Sequence, residues 1–286
     1  MKAIKNTLVL ILGLIFTNIT LASDFISAKE VAKIMNDDNV VLISAQKASS
    51  YNDFHITGSI SLPPDILVDN EPIAYILKDV AEMEQIIGSK GVSNTNMIII
   101  YDEGSFKYSG RLYWVFKYLG AENVKILNGG LEAWKAIRKP ITSSPSKRKE
   151  TTFTANVQPQ YLASLKEVKI ATSDPNYVII DARTDAEYNG TDETTLRPGH
   201  IPNAVHINYV DLIASTGELK SAEQLTALYT SKGVTPDKTV IIYCKTSVRA
   251  AIEFAALNSI LGYQNVKVYD GAYTEWSSDA NTEVVQ

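Results

Sequence analysis

The chain contains the same pattern twice, and this repeat is the feature that most constrains its fold. The run IIIY at 98–101 returns as VIIY at 240–243, and Trp134 at the end of a later motif returns as Trp276. A Lys-Gly-Val triplet also occurs ahead of each run, at 90–92 and at 232–234. The members of each pair are 142 positions apart, and chance does not hold one spacing over a long stretch. The sequence therefore predicts a duplicated domain.

Short β-branched runs alternate with stretches of helical periodicity in each half. Predicted helices over 109–119 and 249–261 stop at Gly120 and Gly262, and a glycine is a common C-terminal signal. Continuous apolar strands separated by helices indicate an α/β fold with a parallel sheet covered on both faces. In such sheets the functional site lies at the carboxyl ends of strands. The predicted strands are 40–43, 98–101, 124–127, 177–180, 240–243 and 266–269.

The 286 residues suit two domains joined by a linker. We predict a first domain over 23–139 and a second over 161–286. The segment 140–160 between them is rich in proline, serine and charge, which is typical of a linker. The second half also has an insertion at 189–198, which we interpret as a surface loop, either beside the site or merely decorative.

Residues 1–22 have the pattern of a secretory signal peptide. Lys2 and Lys5 precede an apolar run over 8–16, and small residues follow before Ser23. The run is shorter than the roughly 20 residues that span a bilayer, although an uncleaved anchor is the alternative. We therefore expect the mature protein in a bacterial periplasm, touching the membrane only through this segment if it is kept.

Charge and histidine spacing exclude several classes of partner. The net charge is −5, and loss of the two lysines in 1–22 makes it −7. An acidic chain without a basic cluster argues against nucleic acid or anionic lipid as a partner. The three histidines, His55, His200 and His206, lack ligand spacing, so we predict no metal site.

Cys244 is the only cysteine, and it stands where a predicted strand ends. A six-residue loop to Arg249 then leads into a helix. Loop N–H groups and a helix N-terminus favour anions, so we expect an exposed sulfur with a pKa below its usual value of about 8.5. Structural cysteines of an oxidising compartment normally come in pairs, so a single one is incidental or reactive. The alternative is a buried, inert thiol.

Three cations are expected around this thiol. Arg183 follows the strand 177–180 in a neighbouring loop, while Lys245 and Arg249 belong to the cysteine loop itself. Parallel strands deliver their carboxyl ends to one edge of a sheet, so these side chains would meet at the mouth of a pocket. Together they would hold a small dianion and depress the pKa of the thiol.

Each cation also has a purely structural interpretation. Arg183 would pair with Asp181 or Glu187 instead of substrate. Arg249 would pair with Glu253, four positions further along the helix. The lysine would simply be solvated.

Four stretches of the chain carry a resemblance to a known family. They are the loop from Cys244 to Arg249, Asp181-Ala182-Arg183, the motif GHIPNA at 199–204 and the motif YDGAYTEW at 269–276. Together they resemble the rhodanese (thiosulfate sulfurtransferase) family. The resemblance covers nearly the whole mature chain in two copies, and it implies two tandem rhodanese-like domains, each a central parallel sheet flanked by helices.

The resemblance implies a sulfurtransferase that moves the outer sulfur of thiosulfate to cyanide or to a thiol acceptor such as a thioredoxin-like protein. The thiolate of Cys244 attacks that sulfur, sulfite leaves, and a persulfide stays on the protein. This chemistry needs no metal and no organic cofactor. We predict Cys244 as the catalytic residue. The predicted substrate-binding residues are Arg183, Lys245, Thr246, Ser247, Val248 and Arg249.

The first copy lacks this chemistry. Asp102 stands at the position of Cys244, and Gln46 at that of Arg183. Glu103 adds a second acid where an anion would have to bind. We therefore predict that the first domain is catalytically silent. Tandem rhodaneses likewise have a silent first half that packs against the second and helps to wall the site.

Other activities stay open at this point. Related phosphatase loops read Cys-x5-Arg, and the shorter Cys-x4-Arg of this chain suits one sulfur atom better than a phosphate. The resemblance implies that 3-mercaptopyruvate enzymes have an uncharged loop and a second arginine, where this chain has Lys245 and, near the second position, Glu187. Both differences favour thiosulfate, although Ser247 and Arg249 also depart from the thiosulfate enzymes. A persulfide carrier with little turnover would have the same sequence.

Overall fold

Each half of the chain folds around its own parallel sheet. The computed structural model describes residues 23–192 and 196–286, so the predicted signal segment 1–22 lies outside it. Within these two ranges no helix has the length and apolarity needed to cross a bilayer.

The first domain has a five-stranded parallel sheet in the order β1-β8-β7-β2-β4, and two small antiparallel pairs, β3 with β9 and β5 with β6. Its strands are β1 Phe25–Ile26, β2 Val40–Ser44, β3 His55–Ile56, β4 Ile60–Ser61, β5 Val68–Asp69, β6 Ile76–Leu77, β7 Met97–Tyr101, β8 Val124–Leu127 and β9 Ile141–Thr142. Its helices are α1 Ala28–Ile34, α2 Ala48–Asp53, α3 Val80–Ser89, α4 Lys107–Tyr118 and α5 Gly130–Ala136, with a 3₁₀ turn at Pro64–Leu67.

The second domain repeats the sheet in the order β10-β14-β13-β11-β12. Its strands are β10 Leu162–Ala163, β11 Tyr177–Asp181, β12 Ala204–His206, β13 Thr239–Tyr243 and β14 Val266–Tyr269. Its helices are α6 Leu165–Ala171, α7 Asp185–Tyr188, α8 Ala222–Ser231, α9 Ala250–Ala255 and α10 Ala272–Ser278, with 3₁₀ turns at Pro159–Tyr161 and Tyr209–Leu212. The predicted α/β architecture is confirmed in both halves.

Local sequence explains where these elements begin and end. The central strands β2 and β7 are continuous apolar runs, buried almost throughout because helices cover both faces. The predicted helix 109–119 is α4, and Gly120 after it has φ 81°. The helix after the cysteine loop ends near Gly262, but its last five residues, Ala256–Ile260, wind as a π-helix.

The two domains meet through α4 and α9 at the same position of the repeat. A Cβ on Gly110 would lie 2.9 Å from the backbone nitrogen of Ile252 and 3.0 Å from its Cα. Gly110 and Ile252 are 142 positions apart, so a pseudo-twofold axis passes through this contact. Buried residues of both domains around the two helices form one continuous apolar core. The two halves are therefore packed together as one body.

The segment 140–160, predicted as a linker, lies against the first domain along much of its length. Its strand β9 pairs with β3. Phe153 is buried, with its ring centroid 6.0 Å from that of Phe116. The backbone N–H of Thr151 donates to the carbonyl of Gly88 at 3.0 Å. The few residues that anchor this segment to the first domain were not predicted, because its overall composition is polar.

The close approach at Gly110 leads to a prediction about stability. Alanine in a helix is normally more favourable than glycine by about 0.5–1 kcal/mol. We expect Gly110→Ala to destabilise the protein by roughly 1–3 kcal/mol, because its methyl group would push α9 away. Urea unfolding measures the effect. Lys166→Ala, at an exposed position of α6, is the matched control and should change stability by less than about 0.5 kcal/mol. A Gly110→Ala protein as stable as the wild type would contradict the contact.

Candidate active site

Cys244 lies at the carboxyl end of β13, as predicted, but its side chain is buried. The residue is 1% exposed. Val240, Ile242 and Cys244 face the core between the domains, while Ile241 and Tyr243 face the opposite core. The two-residue alternation of the strand thus continues into the loop and turns the sulfur inward. The expectation of an exposed sulfur is wrong for this reason.

The cysteine loop is held in place by residues 269–274, which begin at the last residue of β14. The backbone N–H of Tyr273 donates to the carbonyl of Cys244 at 2.9 Å. The N–H and hydroxyl of Thr274 donate to the carbonyl of Lys245 at 3.1 and 2.7 Å. The hydroxyl of Ser247 donates to the carbonyl of Tyr269. Three of the six loop residues are therefore fixed by one neighbouring segment.

The loop side chains divide into two groups. Ser247 and Val248 are buried, so their side chains serve packing and the hydrogen bond to β14. Lys245 and Thr246 are half-buried and form the outer edge of the loop. Ser247 has φ 58°, a left-handed conformation that lets the chain turn sharply before α9. A role in substrate binding stays a prediction for these four residues.

Arg249 makes a two-pronged ion pair with Glu187 of α7. Its Nη1 lies 2.6 Å from Oε2 and its Nη2 lies 2.7 Å from Oε1 of the glutamate. Burial acts to raise the pKa of Glu187, but the hydrogen bonds and charge of Arg249 outweigh it and lower that pKa to about 2. Burial acts to lower the pKa of Arg249, which nevertheless stays above its ordinary value because of Glu187 and of Cys244 beside it. The positive charge of Arg249 thus interacts with both the carboxylate of Glu187 and the sulfur of Cys244.

Glu253 does not pair with Arg249, which rules out that alternative. Its carboxyl group is fully buried and accepts a hydrogen bond from the hydroxyl of Tyr229. Burial raises the pKa of Glu253 to about 8, the hydroxyl of Tyr229 opposes this, and the charge of Asp211 adds to it. An acid that keeps its proton near neutral pH therefore sits one turn after the cysteine loop.

Arg183 is not the predicted cation at a pocket mouth. Its guanidinium is fully buried, with Nη2 2.6 Å from Oδ2 of Asp181 and 2.7 Å from the carbonyl oxygen of Gly199. It also lies 3.9 Å from the ring centroid of Tyr273. Burial acts to lower the pKa of Arg183, but the bonds and charge of Asp181 outweigh it and keep that pKa above its ordinary value. The structural interpretation, a pair with Asp181, is the arrangement observed.

The first domain fills the equivalent place without charge. Ser44 donates its hydroxyl to Oε1 of Gln46 at 2.9 Å, and both side chains are buried. Packing at this point of the fold therefore does not require an ion pair. The pair of Asp181 with Arg183 is particular to the second domain, where it fixes the end of β11 beside the cysteine loop.

The loop of the first domain holds a carboxylate where the second holds a sulfur. Oδ1 of Asp102 accepts the backbone N–H groups of Gly104 at 2.8 Å and Phe106 at 3.2 Å. Oδ2 accepts those of Tyr108 at 3.1 Å and Ser109 at 3.2 Å. A loop at this position can thus gather four backbone donors on one anion. Here the anion is the protein's own side chain.

The insertion at 189–198 is tied to the site through one arginine; its residues 193–195 lie outside the described residues. The hydroxyl of Tyr273 donates to the carbonyl of Arg197 at 2.8 Å. The guanidinium of Arg197 binds carbonyl groups at and beyond the end of α10, those of Trp276, Ser277, Asp279 and Thr282. The insertion therefore braces the helix that carries Tyr273 and Thr274.

Sequence reasoning missed two partners of the site. Glu187 was considered as a partner of Arg183 and as the residue near the place of a second arginine, but not as the partner of Arg249. An acid three residues after Thr184 marks a helix start that could have placed it. The second partner is Asp270, within the motif at 269–276, whose carboxylate binds Arg111 of the first domain. A lone arginine inside the apolar face of α4 was the available signal.

Comparison with known proteins gives a consistent family. The family model "Rhodanese-like domain" matches residues 27–137 and 164–279. The chain is 31% identical over 274 residues to the 3-mercaptopyruvate sulfurtransferase of Escherichia coli, which covers 91% of this chain and 97% of that protein. It is 30% identical over 263 residues to a Mycobacterium leprae protein named provisionally as a thiosulfate sulfurtransferase, covering 88% and 94%.

Solved structures agree with this. SseA of Escherichia coli, a 3-mercaptopyruvate sulfotransferase, aligns with a TM-score of 0.80 at 30% identity over 88% of this chain and 99% of that one. The anaerobic ergothioneine biosynthesis enzyme of Chlorobium limicola aligns with a TM-score of 0.83 over 91% of this chain and 69% of that one. Identity in the latter pair is 19%, so it bears on the fold alone.

The ion pair of Glu187 predicts a pH-dependent contribution to stability. Glu187→Gln should destabilise the protein by roughly 2–4 kcal/mol at neutral pH, because it strips a mostly buried arginine of its counter-charge. The contribution of Glu187 is complete above pH 4.5, its unperturbed pKa, and is lost as pH falls towards 2, so the two proteins should converge in acid. Unfolding free energies measured against pH test this. Asp185→Asn, on the same helix with a side chain 84% exposed, should have little effect.

The raised pKa of Glu253 predicts the opposite pH dependence. The unfolded chain releases this proton near pH 4.5 and the folded protein near pH 8, so the folded state loses stability as pH rises between them. Glu253→Gln should therefore gain roughly 2–5 kcal/mol relative to the wild type between about pH 5 and about pH 9. Glu122→Gln, an exposed position, is the control. Parallel pH profiles for wild type and Glu253→Gln would contradict the assignment.

Proposed function

The chain belongs to the rhodanese family, and on that premise we propose that it is a sulfurtransferase that carries sulfur as a persulfide on Cys244. Its two copies of the domain have diverged at one position, a carboxylate in the first and a thiol in the second. A thiol can accept and release a sulfur atom, whereas a carboxylate cannot. The second domain is the catalytic one under this proposal.

The proposed reaction balances without any other reagent. The thiolate of Cys244 attacks the outer sulfur of thiosulfate, and the bond between the two sulfur atoms breaks. Sulfite leaves with the electron pair, and the protein holds a persulfide anion. Cyanide or a thiolate then attacks the terminal sulfur, and the thiolate of Cys244 is regenerated.

The observation that carries this proposal is the ring of backbone donors around Asp102. Two N–H groups of that loop and two of the first turn of α4 converge on one anion. The same repeat position in the second domain holds Cys244, so we infer that the loop amides there stabilise the terminal sulfur anion of the persulfide. The burial of Cys244 supports this role, because it shields a reactive persulfide from water and stray thiols.

We propose thiosulfate as the sulfur donor. The resemblance implies a second arginine in 3-mercaptopyruvate enzymes near the position of Glu187. In this chain Glu187 is an anion already bound to Arg249, which offers no free cation to the carboxylate of mercaptopyruvate at that point. A relative named for thiosulfate and one named for 3-mercaptopyruvate are similarly distant, at 30% and 31% identity. The choice of thiosulfate is therefore supported by the residues of the site and not by sequence identity.

The acceptor and the compartment are also proposals. A periplasmic location, supported by the signal pattern of residues 1–22, would supply a thiol acceptor such as a thioredoxin-like protein. Cyanide would serve as the assay acceptor. A persulfide carrier that hands sulfur to one partner is the second candidate, and the near-complete burial of Cys244 favours it over rapid exchange with small molecules.

Steady-state kinetics test the proposed activity and donor together. With cyanide as acceptor, we expect thiocyanate release, ping-pong kinetics, and a kcat/KM for thiosulfate at least about tenfold above that for 3-mercaptopyruvate. Cys244→Ser should release none. A higher kcat/KM with 3-mercaptopyruvate would overturn the donor assignment. One equivalent of stable persulfide without turnover would instead identify a carrier.

A further inference from the structure

The catalytic domain is supported from across the domain interface by one buried arginine. We propose that Arg111, in the silent domain, is a positioning residue for the cysteine loop, acting through Asp270. This inference rests on the proposed function for its kinetic consequence, but its structural consequence can be measured without any activity.

The first step of this coupling is an ion pair between the two domains. Nη2 of Arg111 lies 2.7 Å from Oδ1 of Asp270, and the two side chains are 0% and 6% exposed. The same nitrogen donates to the carbonyl of Tyr75 at 3.1 Å, and the guanidinium lies 4.7 Å from the ring centroid of Trp114. Among the described residues, Nε and Nη1 find no hydrogen-bond partner. The carboxylate of Asp270 is therefore what compensates this buried charge.

Asp270 is also bound to the first domain by a backbone group. Its Oδ2 accepts the N–H of Leu77, at the end of β6, at 2.8 Å. Both oxygens of one carboxylate are thus used by the silent domain, one by a side chain and one by the main chain. The residue that immediately follows β14 is fixed from outside its own domain.

The second step leads from Asp270 to the cysteine. Asp270 lies within the segment 269–274, whose members bind Cys244, Lys245 and Ser247. The segment contains Ala272 with φ 53°, a left-handed conformation that a residue with a Cβ adopts only when its surroundings impose it. The anchored carboxylate of Asp270, two residues earlier, is one such constraint. Removing the anchor of Asp270 should let the segment 269–274 relax. The N–H groups of Tyr273 and Thr274 would then shift away from the loop carbonyls of Cys244 and Lys245.

The duplication provides a built-in comparison. In the first domain the equivalent of Asp270 is Asn128, which accepts the N–H of Leu219 at 3.0 Å, the counterpart of Leu77. The equivalent of Arg111 is Glu253, which binds Tyr229 instead of Asn128.

The left-handed position of the silent half is Gly130, with φ 56°, where no Cβ is strained. The main-chain contact is therefore common to both halves. Asp270 of the ion pair and the strained Ala272 both lie in the domain that holds Cys244. This asymmetry is expected if the ion pair positions the cysteine loop.

Hydrogen exchange tests the structural link directly. In Arg111→Met, we expect the amide protons of Tyr273 and Thr274 to exchange at least about tenfold faster, because their acceptors are the loop carbonyls. Arg111→Lys keeps the cation and should restore most of the protection. Asn128→Ala is the matched control: it removes the equivalent interface contact and should leave both amides unchanged. Unchanged exchange in Arg111→Met would overturn the proposal.

Kinetics separate positioning from general stability. At a temperature where circular dichroism shows all variants folded, Arg111→Met should lower kcat about tenfold while the KM for thiosulfate changes less than about threefold. Asn128→Ala should keep kcat within about twofold. Equal loss of kcat in both variants would make Arg111 a structural residue only. A wild type without turnover would refute the proposed enzyme and leave the exchange experiment to decide the link.

Discussion

Four backbone N–H groups converge on the carboxylate of Asp102, and the rest of the molecule can be understood from that arrangement. A strand, a short loop and a helix N-terminus create a place for one negative charge. In the first domain a side chain of the protein occupies that place permanently. In the second domain the same repeat position carries Cys244, whose sulfur we propose to be ionised, extended by one sulfur atom as a persulfide and released again. Under that proposal, one copy of the duplicated fold is structural and the other performs the chemistry.

Two of the three cations predicted around Cys244 form ion pairs within the protein. Arg183 forms an ion pair with Asp181, and Arg249 forms one with Glu187. Both pairs are almost fully removed from water, where breaking one partner away is costly. The pair of Arg249 with Glu187 joins the cysteine loop to α7, and Arg183 also binds the carbonyl of Gly199. The cysteine loop is consequently rigid, which suits a site that must stabilise a small anion by geometry.

The interface between the halves extends this rigidity. Gly110 allows α4 and α9 to approach at the pseudo-twofold axis. Leu77 and Leu219, which precede these helices in the chain, donate their N–H groups symmetrically to the opposite domain. Symmetry then breaks where the chemistry differs, since the equivalents of Arg111 and Asp270 are Glu253 and Asn128, which bind other partners and not each other. The first domain has Asp102 at the position of Cys244 and, under our proposal, supports the cysteine loop of the second.

Much of the fold was predictable because its determinants are local. Apolar runs predicted the central strands to within a residue or two, and Gly120 and Gly262 predicted where the long helices end. The inward direction of the sulfur could also have been predicted from the sequence, because Cys244 continues the two-residue alternation of Val240 and Ile242. The pair of Arg183 with Asp181, two positions apart, was one of the stated alternatives. The pairs of Arg249 with Glu187 and of Arg111 with Asp270 were not predictable. They join residues far apart in the chain, and their choice of partner depends on strand register and helix orientation that no local pattern determines.

The central claim is that Cys244 carries sulfur, and intact-mass spectrometry of the native protein tests it most directly. After incubation with thiosulfate and removal of excess reagent, the account predicts a gain of one sulfur atom that cyanide removes and that Cys244→Ser never acquires. A protein whose mass stays unchanged under these conditions, with its thiol still titratable after unfolding, would contradict the account.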